Sequence, residues 1–175
     1  QFELSKITTK PFLNRETEVK LDKVSMDFKL MFEPLDVKLG RLAISMPEGE
    51  ILLDGAAAAQ AHGWNWALNI SSAAAKPAQV LRYWPSDLKP KLRGWIETNV
   101  EAGEMRDIIF ALRSAPGLNL RSHLGFVFEK ASIRYLKTLP KLEEAAGYAT
   151  LTDTRFVAKV ESGWVLSKQG DRITA

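Results

Sequence analysis

Apolar and polar residues alternate one for one over much of this chain, which is typical of β-strands with one apolar face. The segment Val24–Glu33 shows it most clearly, with apolar even positions Val24, Met26, Phe28, Leu30 and Phe32. The alternation continues to Leu39 and changes phase at Gly40, after which Leu42, Ile44 and Met46 form the apolar set. A one-residue phase change at a glycine predicts a β-bulge or a turn.

The alanine-rich segment Glu50–Gly63 is ambiguous, because the run Ala57–Ala61 also suits a helix. The next segment places Trp64, Trp66, Leu68 and Ile70 on one face of a strand. A hairpin turning at Ala61–Trp64 would set these tryptophans opposite alanines. We therefore predict two strands joined by a tight turn.

Two short helices interrupt the strands. The first covers Lys76 to Trp84 and ends at Pro85, and in the second Asp87 is the predicted cap and Pro90 lies in the first turn. A stripe of Leu92, Trp95, Ile96 and Val100 gives the second helix one apolar side, and Gly103 is its predicted end. Further strands are predicted at 104–113, 125–135, 148–151, 155–161 and 164–167.

These elements predict a mainly β fold: a curled antiparallel β-groove, U-shaped, with the two-helix insert packed on it. Residues 1–75 and 103–175 supply the strands of one continuous domain, and 76–102 form the insert. Two short helices can cover only a small part of the apolar faces of so many amphipathic strands. The sheet can therefore fold into a sandwich, close into a barrel, or stay open as a trough. Strand-like segments at both ends of the chain favour the trough and predict a piece of a longer protein.

The amino-acid composition limits the kinds of chemistry that we expect of this chain. The chain has no cysteine, and His62 and His123 do not have metal-ligand spacing, so we expect no metal site and no disulfide. Its 24 basic and 21 acidic residues leave a net charge of +3, a weak attraction for nucleic acid. No catalytic motif or phosphate-binding loop is present. We expect neither enzymatic activity nor a cofactor.

The stretch from Tyr83 to Arg113 resembles the AsmA-like family of bacterial envelope proteins, specifically the YhdP-type branch. The resemblance rests on an aromatic-Trp-Pro motif, a basic helix with Trp-Ile, a glycine and a following strand, and it extends to about Val165. The matching residues are Tyr83, Trp84, Pro85, Trp95, Ile96, Asn99, Gly103, Phe126, Phe128, Leu139, Pro140, Leu142, Gly147, Phe156 and Gly163.

The resemblance implies a periplasmic protein anchored in the inner membrane. Its β-groove would bind or conduct phospholipid acyl chains toward the outer membrane and so maintain outer-membrane lipids. The expected partners are phospholipid acyl chains and neighbouring segments of the same longer chain. Strand edges of the isolated chain are expected to self-associate.

Ten residues are candidates for the groove lining: Met26, Phe28, Leu30, Phe32, Trp64, Trp66, Leu68, Ile70, Phe156 and Val160. Ordinary core packing explains the same pattern equally well. Three residues, Trp84, Trp95 and Ile96, are expected to anchor the helices on the sheet.

The remaining polar residues have simpler interpretations. The basic side chains Arg82, Lys89, Lys91 and Arg93 fit a solvated helix face better than a phosphate site. The two histidines and the pair Glu143 and Glu144 are predicted in turns, without a functional role. Two alternative functions remain open: a structural β-sandwich module of a large envelope protein, and a lipid-binding module with a closed cavity.

Overall fold

The computed structural model of the protein describes residues 2–9, 19–84, 89–136, 138–166 and 171–174. Of the described residues 72% lie in strands, and two helices accompany them. The strands are β1 (Phe2–Thr9), β2 (Val19–Phe32), β3 (Leu35–Met46), β4 (Gly49–Gln60), β5 (Gly63–Ala75), β6 (Val100–Ser114), β7 (Arg121–Ile133), β8 (Leu142–Thr152), β9 (Phe156–Leu166) and β10 (Arg172–Thr174). The helices are α1 (Pro77–Tyr83) and α2 (Pro90–Asn99), both between β5 and β6.

All ten strands form one antiparallel sheet in the order of the sequence, from β1 to β10. Each strand pairs with its neighbours in the chain, and β1 and β10 form the two edges. The mainly β architecture with a helical insert is thus confirmed. Of the three arrangements that the strand pattern allows, the described residues adopt the open sheet and neither the sandwich nor the barrel.

The two clearest local predictions are confirmed. In the β4–β5 hairpin, Ala59 lies opposite Trp64 and Ala57 lies opposite Trp66, so that large and small side chains face each other. The phase change at Gly40 is a bulge, because the register between β3 and β4 shifts between Leu39 and Leu42.

The boundaries of α2 differ from the prediction. Pro90 is its first residue, as expected, but Lys89 occupies the N-cap position. Asp87 and Pro85 lie outside the described residues. Gly103 does not end the helix: α2 ends at Asn99, and Gly103 lies inside β6 with φ 139°. A Cβ there would lie 3.1 Å from the Cα of Ala131, so close strand packing accounts for this glycine.

Three predicted turns are strand interiors. The turn expected near Gly163 is wrong, since β9 runs without a break from Phe156 to Leu166. Glu143 and Glu144 lie in β8 and His123 lies in β7, not in turns, whereas His62 does lie in the β4–β5 turn.

The buried core is small and lies toward the C-terminal part of the sheet. Its cluster consists of Phe128, Ala131, Leu142, Ala145 and Ala149, with Phe126, Ile133 and Val165 packed against it. Strands β7 and β8 supply the five buried members. The rest of the described sheet has little cover, which makes its exposed apolar face the feature to explain.

Candidate functional site: an exposed apolar sheet face

One row of apolar side chains crosses nine strands. Directly paired residues share a face of a sheet, and the register links a single residue of each strand to the next. From β1 to β9 the row is Phe2, Met26, Leu42, Leu53, Ile70, Phe110, Leu124, Leu151 and Phe156. We call it the apolar row, and the side of the sheet that carries it the apolar face.

All ten predicted lining residues lie on this apolar face. Met26, Ile70 and Phe156 belong to the apolar row itself. The other seven, Phe28, Leu30, Phe32, Trp64, Trp66, Leu68 and Val160, are separated from a row member by an even number of positions on the same strand, which places them on the same side.

Exposure separates this face from an ordinary core. Phe28 is 57% exposed, Phe32 75% and Trp64 46%. Met26, Trp66, Leu68 and Ile70 are half-buried. A core face would bury such side chains against a second layer, whereas here many remain in contact with solvent.

The opposite face of the central strands carries hydrogen-bonded polar side chains beside apolar ones such as Ile109. Asn69 Nδ2 donates to Asp54 Oδ2 at 2.7 Å, and the Arg113 guanidinium donates to Asn69 Oδ1 at 2.6 Å. Further along the sheet, Lys159 Nζ lies 5.6 Å from the centre of the Tyr148 ring. The sheet is therefore amphipathic: the hydrogen-bonded polar side chains lie on the side opposite the apolar row.

The total solvent-accessible surface area shows how much of the chain remains exposed to solvent. The chain exposes 12068 Å², whereas a compact monomer of the same 19.5 kDa mass exposes about 8,500 Å². A single layer cannot bury both of its faces, and the excess area is the physical consequence.

Part of the apolar face is closed by the chain itself. On β8, a Cβ at Gly147 would lie 2.9 Å from Cζ of Phe128, so the Phe128 ring covers this glycine. Gly163 of β9 is covered in the same way by Leu142, whose Cδ1 would lie 3.0 Å from a Cβ. Here large side chains fill the space above small ones on the neighbouring strand.

The helices contact the sheet at both ends of α2. Lys89 Nζ donates to the carbonyl oxygens of Thr152 (3.2 Å) and Asp153 (2.8 Å), beside the β8–β9 turn. At the other end, the Arg134 amide donates to Asn99 O at 2.8 Å. Of the predicted anchors, Trp84 and Ile96 are half-buried and Trp95 is 36% exposed.

The basic helix side chains have protein partners. Arg82 pairs with Glu48 at 3.4 Å. Arg93 pairs with Glu97 at 3.1 Å and also donates to Leu81 O. Arg82 and Lys91 are exposed, as a solvated helix face predicts, whereas Lys89 and Arg93 are half-buried.

A charge network joins three strands at one end of the sheet. Lys141 Nζ lies 2.8 Å from Glu101 of β6 and 2.8 Å from Glu143 of β8, and Ser132 Oγ of β7 donates to Glu143 at 2.6 Å. The hydrogen bond from Lys141 lowers the pKa of Glu101, and the same donor together with Ser132 lowers the pKa of Glu143. The hydrogen bond to Glu101 in turn raises the pKa of Lys141. Glu143 is therefore a cross-strand partner and not part of a solvated turn.

The described residues hold no group of three or more His, Cys, Asp or Glu side chains suited to a metal ion. In the same part of the chain, neither helix is long and apolar enough to cross a membrane. No family model, curated protein or solved structure matches this chain.

Six members of the apolar row were not among the predicted lining residues: Phe2, Leu42, Leu53, Phe110, Leu124 and Leu151. Alternation was the available signal for Leu42, which belongs to the apolar set that follows Gly40. Alternation does not predict the register between paired strands. That register decides whether the apolar sides of successive strands meet.

Proposed function

We propose that the apolar face binds phospholipid acyl chains. On this proposal the chain is a segment of a periplasmic bridge-like protein anchored in the inner membrane, which conducts lipid toward the outer membrane. The bridge, its location and the direction of transport rest on the family resemblance. Acyl-chain binding also rests on the physical properties of the face.

The observation that carries the proposal is the continuity of the apolar row. Its nine members occupy nine neighbouring strands, which span about 38 Å at the usual separation of paired strands. No polar side chain interrupts it. A lipid tail that moves along this row meets carbon at every strand.

The energetics favour such a ligand. Each methylene group removed from water contributes about 0.8 kcal/mol. The backbone hydrogen bonds of the interior strands are used within the sheet, so the face offers few partners to a polar ligand. A saturated tail needs none, and its headgroup can remain hydrated beside the sheet.

One alternative is a structural module whose apolar face is covered by another part of the same parent protein. The exposed edges of β1 and β10 would suit such a continuation of the sheet. The closed-cavity alternative is less favoured, because the described strands form one open layer.

Charge substitution on the exposed face tests acyl-chain binding. Phe28→Asp and Phe32→Asp should leave the protein folded, since both side chains are more than half exposed. Each should lower the retention of a fluorescent phosphatidylglycerol after gel filtration by about tenfold, a loss of about 1.4 kcal/mol. Met31→Asp is the matched control, since Met31 is 38% exposed on the opposite face of the same strand.

Circular dichroism of each variant separates folding from binding. Folded Phe28→Asp and Phe32→Asp variants that retain lipid as well as the Met31→Asp control would contradict the proposal. Unfolding of both variants would show that protein, and not lipid, covers this face.

A further inference from the structure

We infer that one acyl chain is held in a short trough above β4, with its methyl end at Leu53. This inference rests on the proposed function and specifies where on the apolar face a tail comes to rest. We call the feature the β4 trough. Gly55 and Ala57 form the floor of its cavity, and Val37 and Leu39 on β3 and Trp66 and Leu68 on β5 form its walls. Ala59 extends the floor along the same face of β4.

The register builds the trough. Gly55 lies between Leu39 and Leu68, and Ala57 lies between Val37 and Trp66. A strand with small side chains thus separates two strands with large ones. The walls are two strand separations apart, about 9.6 Å between backbones, and the side chains on each wall narrow that space to the width of a slender ligand.

Sterics decide which end is closed. Leu53 precedes Gly55 on the same face and belongs to the apolar row, so a large side chain blocks the trough there. In the other direction Ala59 is the last floor residue before the turn at Ala61 and His62. The four residue steps from Gly55 to Ala59 measure about 13 Å. A tail would therefore enter from the β4–β5 turn and leave its headgroup at that edge of the sheet.

The size and chemistry of the trough restrict the occupant. The cavity measures 250 Å³, which is below the ~300–1,000 Å³ of sites for drug-sized ligands. A peptide segment would bring amide groups to a face whose backbone groups are already paired, and each buried unpaired group costs ~1–3 kcal/mol. An unbranched alkyl chain carries no such group, so it is the occupant that this space favours.

The second small-residue strand of the same face shows how the protein treats such a space when no ligand is needed. On β8, Gly147 and Ala149 lie on the apolar face, and the Phe128 ring covers Gly147. Ala149 is 2% exposed there, whereas the floor of the β4 trough is only half-buried. The chain fills one trough with its own side chain and leaves the other open.

Photo-crosslinking tests the inference. The probe is a phosphatidylglycerol with a diazirine near the methyl end of one acyl chain, and the crosslinked peptides are identified by mass spectrometry. In the wild-type protein the label should concentrate on Leu53, the trough floor and the walls. The substitution Ala57→Leu should lower labelling of these peptides by about tenfold, because the three carbon atoms that leucine adds exclude about two methylene groups of the tail from the trough.

Two control substitutions isolate the trough. Ala58→Leu adds the same bulk one position further on β4, on the opposite face, and should leave labelling unchanged. Ala158→Leu adds it to an exposed position of the apolar face on β9, away from the trough. Its labelling should also remain at the wild-type level.

The outcomes separate this inference from the proposed function. Labelling spread over the apolar face and unchanged in Ala57→Leu would overturn the trough and leave acyl-chain binding intact. Labelling of the wild type no higher than that of an unrelated control protein would overturn both. The wild-type crosslink map decides the matter even if Ala57→Leu fails to fold.

Discussion

Glycines of this chain have two different roles, which Gly147 in the sheet and Gly94 in a helix illustrate. At Gly147 a Cβ would collide with the carbonyl oxygen of Lys159 and approach Cζ of Phe128. At Gly94 in α2, nothing outside the helix's own backbone lies within 4 Å of a Cβ. The first glycine permits close packing of strands, whereas the second only adds freedom to a helix.

These roles predict opposite effects of the same substitution. Gly147→Ala should lower the free energy of unfolding by ~1–3 kcal/mol, the usual cost of overpacking. Gly94→Ala should raise it by ~0.5–1 kcal/mol, because alanine restricts the unfolded chain and suits a helix better. Urea unfolding of both variants beside the wild type measures the difference. A stabilised Gly147→Ala protein would show that β8 and β9 do not approach as closely as described.

At the scale of the elements, alternation predicted the regular strands and the bulge that a glycine marks. It failed at bulges formed by charged residues. The β4–β5 hairpin and the bulge at Gly40 could be predicted, because alternation and a glycine mark them in the sequence. The start of β8 at Leu142 could not, since Glu144 has φ 50° and shifts the apolar pattern by one position. Asp107 and Lys130 adopt the same conformation on β6 and β7. A charged residue in the sequence does not indicate this backbone conformation, so these bulges could not be predicted.

The candidate site was predictable to the same extent. Each lining residue follows from the alternation of its own strand, but the apolar row exists only because eight registers agree. Bulges fix several of those registers, and long-range pairing fixes the rest. Sequence alternation therefore predicted the lining residues and not their connection.

The network of Glu101, Lys141 and Glu143 ties the ends of β6 and β8 and predicts a pH dependence. Both carboxyl groups have folded-state pKa values below the ordinary 4.5. The unfolded chain therefore takes up protons first as pH falls, and stability is lost below about pH 4.5. The raised pKa of Lys141 has the opposite sign, so its contribution is lost only above the ordinary 10.5.

A single substitution should reveal this linkage. Glu143→Gln should be less stable than the wild type at pH 7, and the difference should shrink as pH falls well below 4.5, where the wild-type carboxyl is also neutral. The control is Glu144→Gln, at a neighbouring exposed residue of the same strand. Thermal unfolding across this pH range is the measurement. A difference that stays constant with pH would exclude Glu143 as an ionised partner of Lys141.

At the scale of the whole molecule, the described residues leave much of one side of a long sheet without a second layer. Only six apolar residues of the described chain form the buried core, four of them alanines. The accessible surface is correspondingly larger than that of a compact protein of this mass. Pairing between strands stabilises such a layer more than a buried core does. A surface of this kind needs an apolar cover, and on the function proposed above lipid tails would supply it without polar contacts.

The most direct test of this account is to extract the purified protein with organic solvent and identify the lipids by mass spectrometry, beside an unrelated control protein. We predict co-purified phospholipid in clear excess over the control, because the large side chains Phe28, Phe32 and Trp64 are exposed on the apolar face. A folded protein that carries no lipid above the control would contradict the account, and another layer of protein would then be the cover of the apolar face.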